Sequence, residues 1–415
     1  MLATNTLAQG DTREVGLDQI TANGVTIRQA VKSAPWPSRS AALEYSAVWT
    51  SRAPLSEDAE RTLDGAAVTL GIVSSLDPAS RSIGRARRLM ANAGISFQGS
   101  NILGLGFTME PERAQTLIRK DPGNARVLFP YLNGQDLNSS LDCSASRWVI
   151  NFHNWSEKKA KEFSDCYAQL YLHVKPVRLK VTFSKNARDY WWQYERRRPE
   201  LYTAIAGLNR VIVITLVSKT VMPVMVSTGQ VYSHKLAVLV TDDTAMLALL
   251  SSAPHYWWTI SRSSTMRNDI NYSPSDVLET FPMPELTPEM RGLGHRLDSF
   301  RREVMLARQT GLTKTYNLVH DPRCTDADIA ELRNVHSRID HAVARAYGWD
   351  DLNLDHGFHE TRQGIRYTAG RVARQEILDR LLELNHERYA AEVARGLHSR
   401  KARRRDSGGQ DDLFS

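Results

Sequence analysis

Residues 210–226 read RVIVITLVSKTVMPVMV. Four consecutive β-branched apolar residues, Val211 to Ile214, stand between Arg210 and Thr215, a run too short for a helix and suited to a buried strand. Two further runs have the same character, RWVINF at 147–152 and KLAVLVT at 235–241. Loops dense in aromatic and basic residues separate them, so 126–285 reads as a mixed α+β region. Pro282 and Pro284 in TFPMPEL punctuate its end. Beyond them, helices are predicted at 286–309, 325–347 and 371–395. In the second of these, Leu332, Val335, Ile339, Val343 and Ala346 recur at a spacing of three and four, giving one buried face.

Upstream, the pattern alternates. MLATNTLAQGDTREVG at 1–16 opens like the end of a buried strand, turns at Gly10 and Asp11, and leads into a helix over about 12–22. VTIRQAV (25–31) and AALEYSAVW (41–49) suit an antiparallel hairpin joined across SAPWPSRS. Residues 51–80 read as a connection, 84–92 as a helix, and GISFQGSNILGLGFTM (94–109), with four glycines, as tight turns around short strands. PERAQTLIRK at 111–120 is a helix with Pro at its first position.

The 415 residues suffice for two to three domains, and 42% of them are hydrophobic, enough for a substantial core. No stretch approaches 18 uninterrupted apolar residues, which excludes a membrane-spanning helix and makes a cytoplasmic protein the expectation. Cys143, Cys166 and Cys324 are scattered and without paired spacing, which argues against a disulfide framework and a zinc site. A net charge of +7 is modest for this length, so its distribution matters more than its sum.

That distribution singles out 171–198, YLHVKPVRLKVTFSKNARDYWWQYERRR, with eight Lys and Arg against two acids, interleaved with Tyr190, Trp191, Trp192 and Tyr194. Basic side chains neutralise phosphates and flat rings stack on bases. Lys175, Arg178, Lys180, Lys185, Trp191, Trp192 and Arg196 are therefore candidate DNA contacts. The alternative is a solvated face whose Trp pair points into the core. In HYWWTISRSSTMRNDINYSPSDV (255–277), Arg262, Arg267, Asn268, Asn271 and Tyr272 are candidates for base readout, because Arg reads guanine and Asn reads adenine by bidentate hydrogen bonds. Trp258 and Tyr272 would anchor that loop. Gly104 and Gly106 in LGLGF lack the third glycine of a dinucleotide loop and read as a turn. His153, His173, His234 and His255 show no metal-ligand spacing, and no GxSxG, HExxH or Walker pattern occurs. The residues themselves present no catalytic centre, cofactor site or metal site.

Seven phrases in one order carry a resemblance: FPYLNGQDLN (129–138), SRWVINFHNWS (146–156), VKPVR (174–178), YWWQYERRRPELYTAI (190–205), INYSPSDVLETFPMPE (270–285), GLTKTYNLVHDP (311–322) and DHAVARAYGW (340–349). Together they resemble the rear half of MmeI-like adenine-specific DNA methyltransferases of type II restriction-modification, over nearly the whole chain to about 390. The resemblance implies an α/β and α+β multidomain protein. Residues 1–80 would be the C-terminal part of a Rossmann-like methyltransferase domain, 81–285 a target recognition domain, 286–390 a helical C-terminal domain and 391–415 a disordered basic and acidic tail. In that family the S-adenosylmethionine loop and the Asn-Pro-Pro-Tyr motif precede the segment resembling 1–16. This sequence has 16 prolines and no two are adjacent. The implied function is sequence-specific recognition of double-stranded DNA for adenine-N6 methylation in a restriction-modification or phage-defence system, with a separately encoded N-terminal methyltransferase half as partner. No cofactor would be bound by this chain alone, S-adenosylmethionine serving the complete enzyme. Two alternatives stand beside this reading: a stand-alone DNA-binding module, and a non-functional fragment whose sheet exposes an unpaired edge.

Overall fold

The computed structural model describes residues 1–398 apart from 9, 38–43, 54, 57–58, 69–70, 78–83, 267–268 and 362. The chain forms two compact units, Met1–Arg85 and Ala86–Ser415. In the first, the hairpin predicted at 25–31 and 41–49 spans Thr26–Pro35 and Glu44–Ser51, antiparallel with two register shifts. Leu2–Thr4 adds antiparallel to its outer side, and Thr62–Leu63 joins the other side in parallel, with Ala66–Ala67 beyond it. Two short helices, Gly10–Val15 and Leu17–Ala22, accompany this sheet. Leu17, Ile27, Ala30, Val48, Leu63 and Leu76 make its core.

The second unit is built around the stretch 210–226. Arg210–Thr215 pairs antiparallel with Val224–Ser227 on one side and Leu236–Leu239 on the other, and Ser96–Gln98 completes the sheet. Val211, Ile212, Val213 and Ile214 are all buried, so both faces of this strand are covered, which accounts for its unbroken apolar run. Each such side chain contributes roughly 1.5–3 kcal/mol on burial. The cover includes helices Thr244–Leu250, Ala253–Arg262, Pro288–Arg308, Ala327–Ala346 and Arg371–Ala394, whose apolar faces belong to the same core as the sheet. The helical segment after 286 thus shares its core with the 210–239 strands. Gly294 lets helix 288–308 approach helix 244–250 closely, since a Cβ there would collide with the Thr244 carbonyl. Asp243 caps the 244–250 helix and receives both ends of the Arg291 guanidinium at 2.9 and 2.7 Å, fixing the same crossing.

A second sheet, ordered Val231–Tyr232, Leu128–Leu132, Arg147–Ile150, Thr108–Met109, backs a separate apolar cluster that includes Phe107, Leu170, Trp191 and Trp192. The helix expected over 84–92 is reduced to a single tight turn, Met90–Asn92. Long-range partners hold this segment: buried Asn385 bonds both the N–H and the carbonyl of Arg87, and Glu392 accepts from the N–H groups of Met90 and Ala91. The last helix runs through Ala394, into the stretch expected to be disordered, and 399–415 lie outside the described residues. A hairpin, Gly357–Thr361 with Gly364–Thr368, stands between the last two long helices, where the sequence pattern predicts no element.

Candidate nucleic-acid interface

The basic and aromatic segment folds as three short helical pieces, Ser164–His173, Lys175–Arg178 and Lys185–Asp189. Arg178 is fully buried. Its guanidinium donates to the carbonyls of Leu103 (2.9 Å), Ile102 (2.8 Å), Ala187 (3.0 Å) and Gln193 (3.2 Å) and lies over the Phe107 ring. Burial lowers its pKa from the ordinary value to about 10, against the opposing pull of the Glu195 carboxylate. The expectation that Arg178 contacts phosphate is therefore corrected: every direction of its fork is committed to backbone carbonyls inside the fold. Trp191 and Trp192, expected to stack on bases, are 4% and 7% exposed and belong to the core. The Trp192 indole N–H donates to the Trp155 carbonyl, beside the Gln193 amide on the same acceptor.

What reaches solvent is a different set. Phe183 is 75% exposed, in the loop joining the second and third helical pieces, between exposed Lys180 and Lys185. Tyr171, Leu172, Val177, Leu179 and Tyr190 are also exposed, a density of apolar surface that commonly marks an interaction site. Lys175 is half-buried, its ammonium 4.3 Å from the Tyr171 ring centre and 5.1 Å from that of Trp191. Arg196 is exposed and 3.5 Å from the Glu195 carboxylate, a surface pair of small energetic weight. Lysines and exposed rings alternate here, but the rings are Tyr171, Phe183 and Tyr190 rather than the Trp pair.

LGLGF forms a tight turn, Leu105–Phe107, entered through Gly104 at φ 136°. Gly106 presses against the carbonyl of His173, where any Cβ would collide, and Gln169 donates to the carbonyls of Gly106 and Thr108. This fixes exposed Leu105 beside the end of helix 164–173 and leaves a groove of about 480 Å³ between the turn and the helix. A strand, not a helix, comes after the turn, so it offers no row of helix N–H groups to a nucleotide.

The second predicted stretch divides. Helix Ala253–Arg262 leads into strands Ser264–Met266 and Asp269–Asn271, which pair antiparallel and continue to Val217–Ser218. Arg267 and Asn268 lie outside the described residues. Arg262 is stacked 4.5 Å over the centre of the buried Trp258 ring, and Asn271 is half-buried in the three-stranded ladder. Tyr272 is buried, its hydroxyl 3.1 Å from His255 Nε2, and burial raises its pKa well above the ordinary value. Its expected role in touching DNA is corrected to that of an interior anchor. Among the described residues no group of His, Cys, Asp and Glu is arranged to hold a metal ion, and no helix is long and apolar enough to cross a membrane.

Residues 85–285 match the family described as MmeI, target recognition domain. Among solved structures, the chain is similar to the type IIL restriction-modification enzyme MmeI in complex with DNA, at 16% sequence identity and a TM-score of 0.64 over 94% of this chain and 49% of that one. The type IIG restriction endonuclease BpuSI aligns at 10% identity and a TM-score of 0.33, over 94% of this chain and 47% of that one, a level that carries no argument. The chain spans about half the length of each of these solved proteins. No curated protein matches it. The likeness to MmeI is one of fold, and the family match is specific to one segment: residues 85–285 are a target recognition domain of the MmeI family.

Proposed function

We propose that this chain reads a specific sequence in double-stranded DNA for adenine-N6 methylation within a type II restriction-modification enzyme, methyl transfer being performed by residues outside this sequence. The match of residues 85–285 to the MmeI target recognition domain carries the reading. The exposed face at 171–190 supports it chemically. Lys180 and Lys185 neutralise phosphates, and Phe183 between them inserts at a base step or stacks on an exposed base.

Methylation of a flipped adenine requires an acceptor for the N6 amine, a ring stacked on the base and a bound methyl donor. S-adenosylmethionine supplies the methyl group in the complete enzyme. The residues present do not fit it: of the two Gly-x-Gly pairs, Gly104 and Gly106 form a closed turn and Gly292 and Gly294 lie inside helix 288–308, and no two prolines are adjacent anywhere in the sequence. The chain works with a methyltransferase part, fused or separately encoded, in the cytoplasm.

Selection of binding sites from a random duplex pool tests the recognition. One enriched sequence is expected, and recovery of unselected sequence would overturn the reading. Supplied with S-adenosylmethionine and the enriched duplex, the chain alone is expected to transfer no methyl group, so methylation in preparations free of other enzymes would contradict the division of labour. The Lys180→Ala, Lys185→Ala double variant is expected to flatten the slope of log affinity against log salt by about two, near 0.9 for each lost phosphate contact. Phe183→Ala should weaken binding by roughly fivefold or more at unchanged slope. Titrations at four salt concentrations separate the two effects, and an unchanged slope in the double variant would show those lysines to be merely solvated.

A further inference from the structure

Beneath the 357–368 hairpin, and away from the 171–190 face in sequence and in core, lies a cavity of about 60 Å³ whose walls include Ser251, Tyr256, His320, Asp340, His356 and Arg366. Four buried polar atoms of these residues have no hydrogen-bond partner among the described residues: Ser251 Oγ, the Tyr256 hydroxyl, His320 Nε2 and Arg366 Nε. Native interiors leave few such groups unmade, and four around one cavity call for a common explanation.

Their chemistry is one-sided. His320 Nδ1 accepts the N–H of Tyr367 at 3.2 Å, so in the neutral ring the proton sits on Nε2, which can only donate. Arg366 Nε can only donate as well, and the two hydroxyls can donate or accept. The guanidinium of Arg366 gives Nη2 to the Lys219 carbonyl at 3.1 Å and lies 5.6 Å from the Tyr256 ring centre, with no ion pair among the described residues. The carboxylate in the wall is already engaged: Asp340 accepts the N–H of Ala253 and sits 2.7 Å from His356 Nε2. A buried cation and convergent donors without a free counter-charge are complementary to an anion rather than to a neutral guest. The space equals about two waters, near 30 Å³ each, and therefore takes a guest of three or four heavy atoms.

We infer that this cavity is a binding site for a small planar carboxylate of formate or acetate size, held by Arg366 Nε and His320 Nε2 with the Ser251 and Tyr256 hydroxyls. The guest ties the hairpin, through Arg366, to the N-terminal end of helix 253–262 and to His320 at the end of helix Leu312–Val319.

The test titrates the full chain with sodium formate at constant ionic strength, using chloride and inorganic phosphate as comparison anions, and monitors the unfolding midpoint and the ¹³C line width of labelled formate. Formate is expected to raise the midpoint saturably and to broaden the formate line. Chloride, a spherical ion, and tetrahedral phosphate should do neither. Tyr256→Phe and Ser251→Ala, which remove one hydroxyl each and little volume, should weaken formate binding about tenfold, the usual consequence of losing a hydrogen bond to a charged group. Arg366→Met should abolish it. The inference is overturned if formate neither shifts the midpoint nor broadens its line, if chloride and phosphate act equally, or if both hydroxyl variants bind formate like the parent. The first and last outcomes would leave bridging waters as the occupants, and the second would mean a general effect of anions rather than a carboxylate site.

Discussion

Arg178→Met is expected to destabilise the Ala86–Ser415 unit by about 3–5 kcal/mol, although the residue lies in the most basic segment of the chain. Methionine fills comparable space but supplies no donor. The carbonyls of Ile102, Leu103, Ala187 and Gln193 would each lose a charge-assisted hydrogen bond in a region closed to water. Those four acceptors come from three separate stretches of chain, so the loss would also release the loop carrying Phe183 from the turn carrying Leu105. Arg178→Lys should not rescue it, because three donors radiating from one nitrogen cannot reproduce a planar fork aimed at four carbonyls. Urea unfolding monitored by tryptophan fluorescence reads the effect directly, since Trp191 and Trp192 lie in the core beside the clamp. Lys180→Ala is the contrast, expected within about 0.5 kcal/mol of the parent. If Arg178→Met keeps the parent's stability and loses only DNA affinity, the residue contacts phosphate after all.

The contrast between Arg178 and Lys180 also marks how far local sequence reaches. Both are basic, two positions apart, in a segment whose composition points to nucleic acid, yet one is buried and the other exposed. The carbonyls that decide this at Ile102 and Leu103 come from some 75 residues upstream, and no local pattern encodes them. The Trp pair is similar: the open alternative, that it faces the core, is the arrangement found, while nothing in its neighbourhood distinguishes the exposed Phe183 from a core phenylalanine. Local chemistry is a better guide where it governs conformation alone. The strand at 210–215, the turn at 104–107 and the long helices after 286 are all legible as periodicity or glycine spacing. The expected helix at 84–92 fails because Asn385 and Glu392, about 300 residues downstream, satisfy its backbone groups and remove the need for one. The hairpin at 357–368 carries a usable signal: the strand-forming residues Phe358, Ile365, Tyr367 and Thr368 flank a turn that ends at the positive-φ Gly364.

Acidification from pH 7 to pH 5 is expected to remove about 6 kcal/mol from the stability of the same unit, through three buried imidazoles. Burial lowers the pKa of His255 from 6.5 to about 4 and that of His336 to about 4, the latter despite the raising influence of Asp340. Burial, then Arg366, His336 and Arg333, lowers His320 to about 3. Each ring also uses one nitrogen as an acceptor, which a second proton would abolish. His255 Nδ1 donates to the Leu250 carbonyl and Nε2 takes the Tyr272 hydroxyl proton, His336 Nε2 takes that of Tyr316, and His320 Nδ1 takes the Tyr367 N–H. The unfolded chain, with ordinary imidazoles, takes up protons first as pH falls. The stabilisation is therefore complete above about 6.5 and is lost as pH descends toward the folded values. Each group contributes about 1.4 kcal/mol per pH unit within that window, or about 2 kcal/mol at pH 5, and three together rival the whole stability of many domains. Asp243 and Asp328, held below the ordinary 3.8 by Arg291 and Arg308, act mainly at lower pH, whereas His153, His234 and His341, each lowered by burial, add to the loss within the window. Urea unfolding at pH 7, 6 and 5 should give a slope of at least about 4 kcal/mol per pH unit at the acid end, smaller by about 1.4 kcal/mol per pH unit in His255→Gln whatever that variant's absolute stability. A slope below about 1 kcal/mol per pH unit in the parent would mean that these rings are charged or solvated in the folded chain, and the buried neutral arrangement would have to be abandoned.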